Sequence, residues 1–236
     1  MLPRATSVYD FAPPAPDPPA SVPDVGFGLP GALGEDPLNV YFVRHGETDY
    51  DVVASRGVRG WATSFAPLSP LGRLQIDTIA RDYRLQDAEA ILCSSYARAL
   101  ESGALLSRAL NKPLYVEYDL HEWLPQKDPL GDIDSELLRR AQDGLGPSAG
   151  DAPWEGVDEV RDRVLRVLER YRGRGSVVVV SHAVVIQSVT GLRRGIDHAE
   201  IVPYELRPPG APAPSFEHDD VRRGPSLRDA VAELDR

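Results

Sequence analysis

The chain has a single cysteine, Cys93, in 236 residues. That excludes an intrachain disulfide framework and a cysteine-rich zinc site, and it fits a reducing, cytoplasmic setting. There is no apolar run of about 18 residues, so no membrane span is expected. The first residues hold an early arginine, Arg4, but no apolar stretch after it, which argues against a secretory signal. Lysine is nearly absent: Lys112 and Lys127 stand against 24 arginines. The formal net charge is −10, so a whole-surface affinity for nucleic acid or anionic lipid is not expected, although an acidic protein can still hold a basic pocket. No Gly-x4-Gly-Lys loop occurs, which excludes a nucleotide P-loop. A cysteine phosphatase loop needs five residues between cysteine and arginine, but only four separate Cys93 from Arg98. Cys93 instead ends an apolar run and reads as a small buried hydrophobe.

What remains is ordinary for a soluble globular protein: 42% apolar and 26% charged residues, in a length that supports one sizeable core. Proline is unevenly placed. Nine of the 22 prolines fall in residues 1–37, a stretch that can be neither helix nor central strand and reads as an extended or disordered tail. Residues 208–236 read as a second loose segment, with a charged end compatible with a short helix. Between the tails, residues 38–207 read as one domain in which strand and helix alternate.

Strands are expected at 38–43, 90–93, 114–117 and 176–180, the last containing four successive valines suited to burial on both faces. Ile201–Leu206 reads as an edge strand because of Pro203. Ser69-Pro70 has the form of an N-cap followed by proline, opening a helix to about Arg84. Helices are also expected at 98–110, 134–143 and 183–192. Val157, Val160, Val164, Val167, Leu168 and Tyr171 trace the apolar stripe of another. Alternating units of this kind imply an α/β fold, a three-layer α/β/α arrangement around a mainly parallel central sheet. In such sheets ligands bind at the C-terminal ends of the strands. Two histidines stand at such ends: His45 after Val40–Val43, and His182 after Val177–Val180, 137 residues later.

The segment Arg44-His45-Gly46-Glu47-Thr48 resembles the signature of the histidine phosphatase superfamily, also called phosphoglycerate-mutase-like. Four further segments resemble its motifs in the family's order. They are Ser94-Ser95-Tyr96-Ala97-Arg98-Ala99, Leu120-His121-Glu122-Trp123, Trp154-Glu155-Gly156 with Glu159-Val160 and Arg163-Val164, and Val180-Ser181-His182. The resemblance covers about residues 38–206 and implies a phosphatase acting on a small-molecule phosphate ester. His45 would attack phosphorus and carry the phosphoryl group. Neighbouring arginines disfavour imidazolium and so keep its nitrogen nucleophilic. Arg44 and Arg98 would supply forked donors to the phosphate oxygens, with His182 adding a hydrogen bond. Glu122 would protonate the leaving oxygen and then activate water. Cationic side chains carry the charge in this scheme, so no metal or other cofactor is expected.

The chain departs from the family pattern in places. Asp51 stands where asparagine is usual, and a carboxylate near phosphate is repulsive unless neutralised. Arg56 or Arg59 could do so, and Arg56 is carried as a further phosphate ligand. Ala183 replaces a common glycine and Ser95 a common proline. The mutase branch follows its acidic residue with an Arg-His-Tyr-Gly-like segment, but Glu122 is followed by Trp123-Leu124-Pro125-Gln126-Lys127, which favours hydrolysis. A phosphomutase and a non-catalytic phosphoester-binding or interaction module remain as alternatives. His121, His198 and His218 have no supporting context and read as surface residues.

Overall fold

The first strand of the computed structural model, β1, is Leu38–Arg44; the structure describes residues 37–127, 135–143 and 152–207. A short helix α1 (Tyr50–Ala54) and a 3-10 turn (Gly60–Phe65) lead to α2 (Pro70–Ile79) and the single turn of α3 (Tyr83–Gln86). Strand β2 (Ala90–Ser94), helix α4 (Ala97–Leu110) and strand β3 (Leu114–Glu117) follow, then a 3-10 turn at Tyr118–Leu120. Helices α5 (Ser135–Asp143) and α6 (Val157–Glu169) precede β4 (Ser176–Ser181), α7 (Ala183–Thr190) and β5 (Ile201–Leu206). The strands form one sheet in the order β3-β2-β4-β1-β5, parallel except for β5, which runs antiparallel to β1 at the edge. No helix among the described residues is long and apolar enough to cross a membrane.

The period of two along each strand divides the core. Phe42, Leu92, Val177 and Val179 join one buried cluster with Ala141 of α5, Val160, Val164 and Val167 of α6, and Val185, Ile186 and Val189 of α7. Ile91, Cys93, Val178 and Val180 join the opposite cluster with Ile76 of α2, Leu85 of α3, and Ala99, Leu106 and Leu110 of α4. The result is the three-layer α/β/α fold. Cys93 is fully buried, as its apolar setting implied.

The helix expected over 70–84 is broken. Ser69 caps α2 by accepting from the Gly72 amide, with Pro70 in the first turn. The chain then stops at Ala80, because the Asp82 carboxylate accepts from the Arg84 amide and is also forked to the Arg84 guanidinium at 2.9 and 2.7 Å. A local side-chain bond of this kind competes with helix continuation and starts α3 instead. The proline-rich residues before 37, the charged residues after 207 and His218 lie outside the described residues.

Two glycines set how closely the turn after β1 approaches α2. A Cβ on Gly46 would lie 2.4 Å from the Gly72 carbonyl oxygen, and one on Gly72 would lie 2.1 Å from that of Glu47. Gly72→Ala is therefore expected to cost about 1–3 kcal/mol through overpacking. A melting temperature lower by several degrees than that of a Gly195→Ala control, whose Cβ meets nothing within 4 Å, would show it. Equal melting temperatures would mean that the two segments part without cost.

Candidate active site

Strands β1 and β4 are hydrogen-bonded neighbours with Arg44 opposite Ser181, so His45 and His182 leave the sheet side by side. After β1 the chain turns to the α2–α4 face, and after β4 it turns to the α7 face. The connections diverge and leave a crevice at the carboxyl ends of these two strands. The imidazole rings face each other edge to face in it, with centroids 5.1 Å apart.

The protonation of His45 is fixed by its partners. Its Nδ1 lies 2.7 Å from the Gly46 carbonyl oxygen, which can only accept, so Nδ1 carries the hydrogen. The lone pair is left on Nε2, where the Arg98 Nε–H donates at 3.1 Å. Burial, then Arg98 and Arg44, push the His45 pKa down to about 3, so the ring is neutral at pH 7. The turn that presents it is clamped from two helices. Ser102 of α4 accepts from the Gly46 amide and donates to the Arg98 carbonyl, and Gln75 of α2 accepts from the Glu47 amide. Ser69 donates to the Glu47 carboxylate at 2.8 Å.

His182 is set the other way round. Its Nε2 lies 2.9 Å from Ser94 Oγ, and that oxygen already accepts from the Tyr96 amide. Ser94 is fully buried, and His182 Nε2 is the acceptor within reach of its hydroxyl hydrogen. The hydroxyl therefore donates to Nε2 and the ring hydrogen resides on Nδ1. Among the described residues Nδ1 has no hydrogen-bond partner, which makes it a buried donor beside His45. Burial, with Arg98 and His45 adding to it, holds His182 well below the usual histidine range. The sequence places Ser94 at the start of the motif that holds Arg98 but gives it no role, because its contact with His182 is made across 88 residues of chain.

Glu122 reaches the cluster on the loop after the 3-10 turn at Tyr118–Leu120. Burial raises its pKa, opposed by the Trp123 amide and by Arg98, Arg163 and Arg44. Its loop hangs on a buried ion pair. Arg163 of α6 donates to both Glu155 oxygens at 2.8 and 3.1 Å, and also to the carbonyls of Asp119 and Glu122. Glu155 in turn accepts from the Leu124 amide, and its carbonyl accepts from the Trp123 indole at 2.7 Å. Sequence placed Glu155 and Arg163 inside a motif without a role; their role is to hold the loop that carries Glu122.

Arg44 is half-buried, donates to the Ile196 carbonyl, and is close enough to lower the His45 pKa. Arg56 is exposed on the turn after α1 and makes none of the contacts that join His45, Arg98 and His182; Arg59 is exposed as well. Asp51 is exposed in the first turn of α1, where solvent screens its charge. Two histidines expected at the surface are not there. His121 is 4% exposed, with its ring against those of Tyr96 and Tyr118. His198 is half-buried, its ring centroid 5.5 Å from that of His45. Burial and Arg44 lower its pKa.

Two substitutions test this arrangement. Arg163→Ala leaves Glu155 buried and unpaired, with an expected loss of about 3–5 kcal/mol in chemical denaturation. Glu155→Leu combined with Arg163→Met should recover most of that stability while catalysis stays low, because the Glu122 loop has lost its ties. Full recovery of both would reduce the pair to a structural role. Ser94→Ala should shift the His182 ring hydrogen toward Nε2, read from imidazole nitrogen chemical shifts, and weaken inorganic phosphate binding about tenfold. Unchanged shifts would disprove the tautomer assignment.

The sequence profile of the histidine phosphatase superfamily (branch 1) matches residues 40–211. Among solved structures, the fold is similar to a mycobacterial hydrolase at 20% identity and a TM-score of 0.56, covering 73% of this chain and 95% of that one. It is similar to a mycobacterial glucosyl-3-phosphoglycerate phosphatase at 21% identity and a TM-score of 0.53, covering 70% and 88%. A phosphoglycerate mutase from Bacillus anthracis aligns at 18% identity and a TM-score of 0.52, covering 73% and 89%. No curated protein sequence matches the chain. With its paired histidines at the ends of adjacent parallel strands and the profile matching most of its length, the chain belongs to the histidine phosphatase superfamily, branch 1.

Proposed function

We propose that this protein is a phosphatase that hydrolyses a small-molecule phosphomonoester through a covalent phosphohistidine on His45, with no metal in the reaction. The observation that carries this reading is the fixed tautomer of His45. The Gly46 carbonyl holds the hydrogen on Nδ1, so Nε2 presents its lone pair beside the Arg98 guanidinium. Arg98 and Arg44 neutralise the approaching phosphate, and the His182 Nδ1–H supplies a further donor.

The Nε2 lone pair forms the N–P bond as the P–O bond to the alcohol breaks. The Glu122 proton passes to the departing oxygen, leaving a free alcohol and a carboxylate. Water then gives a proton to Glu122 and attacks phosphorus. The N–P bond breaks, inorganic phosphate leaves, and both side chains return to their starting forms. The raised pKa of Glu122 suits an acid, and the lowered pKa of His45 suits a nucleophile.

Turnover of p-nitrophenyl phosphate with chelator present should vanish in His45→Ala, and an acid-labile phosphoenzyme should be trapped in the wild type. Unchanged turnover in His45→Ala would sink the mechanism, and isomerised product without free phosphate would replace hydrolysis by phosphoryl exchange. Glu122→Gln should slow hydrolysis of alkyl phosphates by about 10²–10⁴-fold. With p-nitrophenyl phosphate, whose leaving group needs no acid, the same variant should give a burst followed by slow turnover. The sign of the pH dependence follows from the two groups. His45 must be neutral, which holds at all pH values well above 3, and Glu122 must be protonated. Activity should therefore fall as pH rises through the raised Glu122 pKa, and that limb should disappear in Glu122→Gln.

A further inference from the structure

Tyr96 separates the catalytic cluster from a second cavity of about 350 Å³. On one side its ring lies 5.4 Å from that of His182 and carries the Arg98 guanidinium 5.2 Å from its centroid. On the other side it forms a wall of the cavity with Trp61, Phe65, Tyr118, Leu124 and Gln126. Ser64, on the 3-10 turn that also carries Trp61 and Phe65, lines the same cavity. Phe65 and Tyr118 are exposed at the rim, 76% and 71%. The volume falls at the small end of small-molecule sites, which run from about 300 to 1,000 Å³.

The chemistry of the wall narrows its occupant. Among the described residues no carboxylate lines the cavity, and the one cation that does, Lys127, is paired with Glu159 at 2.9 Å. A second anionic group on the ligand would therefore meet no free positive charge. Two polar atoms of the wall residues are buried without a hydrogen-bond partner among the described residues: the Trp61 indole nitrogen and the Gln126 amide oxygen. One can only donate and the other can only accept. Hydroxyl groups serve both, since each can accept from an indole and donate to an amide oxygen. The aromatic walls favour a ring whose C–H faces can lie against them.

We propose that this cavity receives the alcohol part of the phosphoester, and that this part is a neutral ring bearing hydroxyl groups, as in a monophosphate of a sugar. A three-carbon alcohol would leave the aromatic walls unfilled, and a carboxylate-bearing one would bury an unpaired charge. The orientation, with phosphate toward His45 and the ring beyond Tyr96, rests on the phosphatase reading above.

The test compares kcat/KM of the full chain on a sugar monophosphate, phenyl phosphate, glycerol phosphate and 3-phosphoglycerate. The sugar ester should lead glycerol phosphate and 3-phosphoglycerate by at least about tenfold. Trp61→Phe and Gln126→Leu should each lower the ratio of sugar ester to phenyl phosphate by about tenfold, since phenyl phosphate offers no hydroxyl to either atom. Gln126→Leu reads the same effect alone should Trp61→Phe fold poorly. Calorimetric binding of the same esters to His45→Ala separates the two readings. If the wild type turns over no ester, hydrolysis fails while the binding order still decides the subsite. Preference for 3-phosphoglycerate, or variants that weaken all four esters equally, would overturn the proposal.

Discussion

The Arg98 guanidinium is 7% exposed, and its hydrogen-bond partner within the site is not a carboxylate but the uncharged Nε2 of His45. A buried cation without an ion pair is costly, and among the described residues none of the salt bridges includes Arg98. The fold accepts this because the guanidinium also lies over the Tyr96 ring, while Ser102 holds the Arg98 backbone carbonyl in the first turn of α4. The same burial that makes Arg98 costly drives His45 neutral and holds His182 neutral. A dianionic phosphate is the complement of such a cluster. Its binding to the folded state alone would stabilise the chain by mass action.

Two histidines of one type, 5.1 Å apart, are given opposite tasks by partners of opposite kind. The Gly46 carbonyl accepts from Nδ1 and so places the lone pair of His45 on Nε2, where Arg98 donates to it. The buried Ser94 hydroxyl, whose hydrogen finds its acceptor in Nε2, donates and so leaves His182 a donor at Nδ1. Neither assignment needs a charge near the ring, which suits a site where extra carboxylates would repel phosphate. The carboxylate that the proposed chemistry requires, Glu122, stands on a loop whose position is set from α6 by the Arg163–Glu155 pair. The net worth of that pair lies in orientation as much as in stability, since buried ion pairs often do little more than break even.

Much of this was legible in the sequence because it depends on short-range pattern. The valine run of β4, the apolar residues of β1 and the stripe of α6 each specify an element, and alternation of elements specifies the layers. His45, Arg98 and His182 could be found because each follows a strand or opens a helix in a recognisable motif. The misreadings share one physical origin, which is that burial of a polar side chain is decided by distant residues. His121 is packed against the ring of Tyr96, which comes from the loop after β2, and His198 lies on the turn before β5 that folds back on Arg44. Nothing adjacent in the chain reports either contact. Arg56 illustrates the converse: proximity in sequence to the His45 turn did not carry it into the cluster, because α1 ends in an exposed turn. The break between α2 and α3 was hidden for a related reason. An aspartate two residues before an arginine is unremarkable until their fork competes with the helix.

The two halves of the crevice are built from different material. The end proposed to hold phosphate rests on strand termini, the first turn of α4 and glycine contacts too close to admit a methyl group. The turn that presents His45 is tied to α2 and α4 by hydrogen bonds to Gln75 and Ser102, the kind of fixed positioning that the proposed phosphoryl transfer asks of a site. The cavity beyond Tyr96 is lined by a 3-10 turn and by loop residues such as Leu124 and Gln126, whose replacement disturbs no strand or core helix. Changes there can alter which alcohol fits while leaving His45, Arg98 and His182 where they are. Tyr96 is the exception, since it packs against both His182 and the cavity. It is therefore the residue through which a change of substrate fit would reach the reacting phosphate.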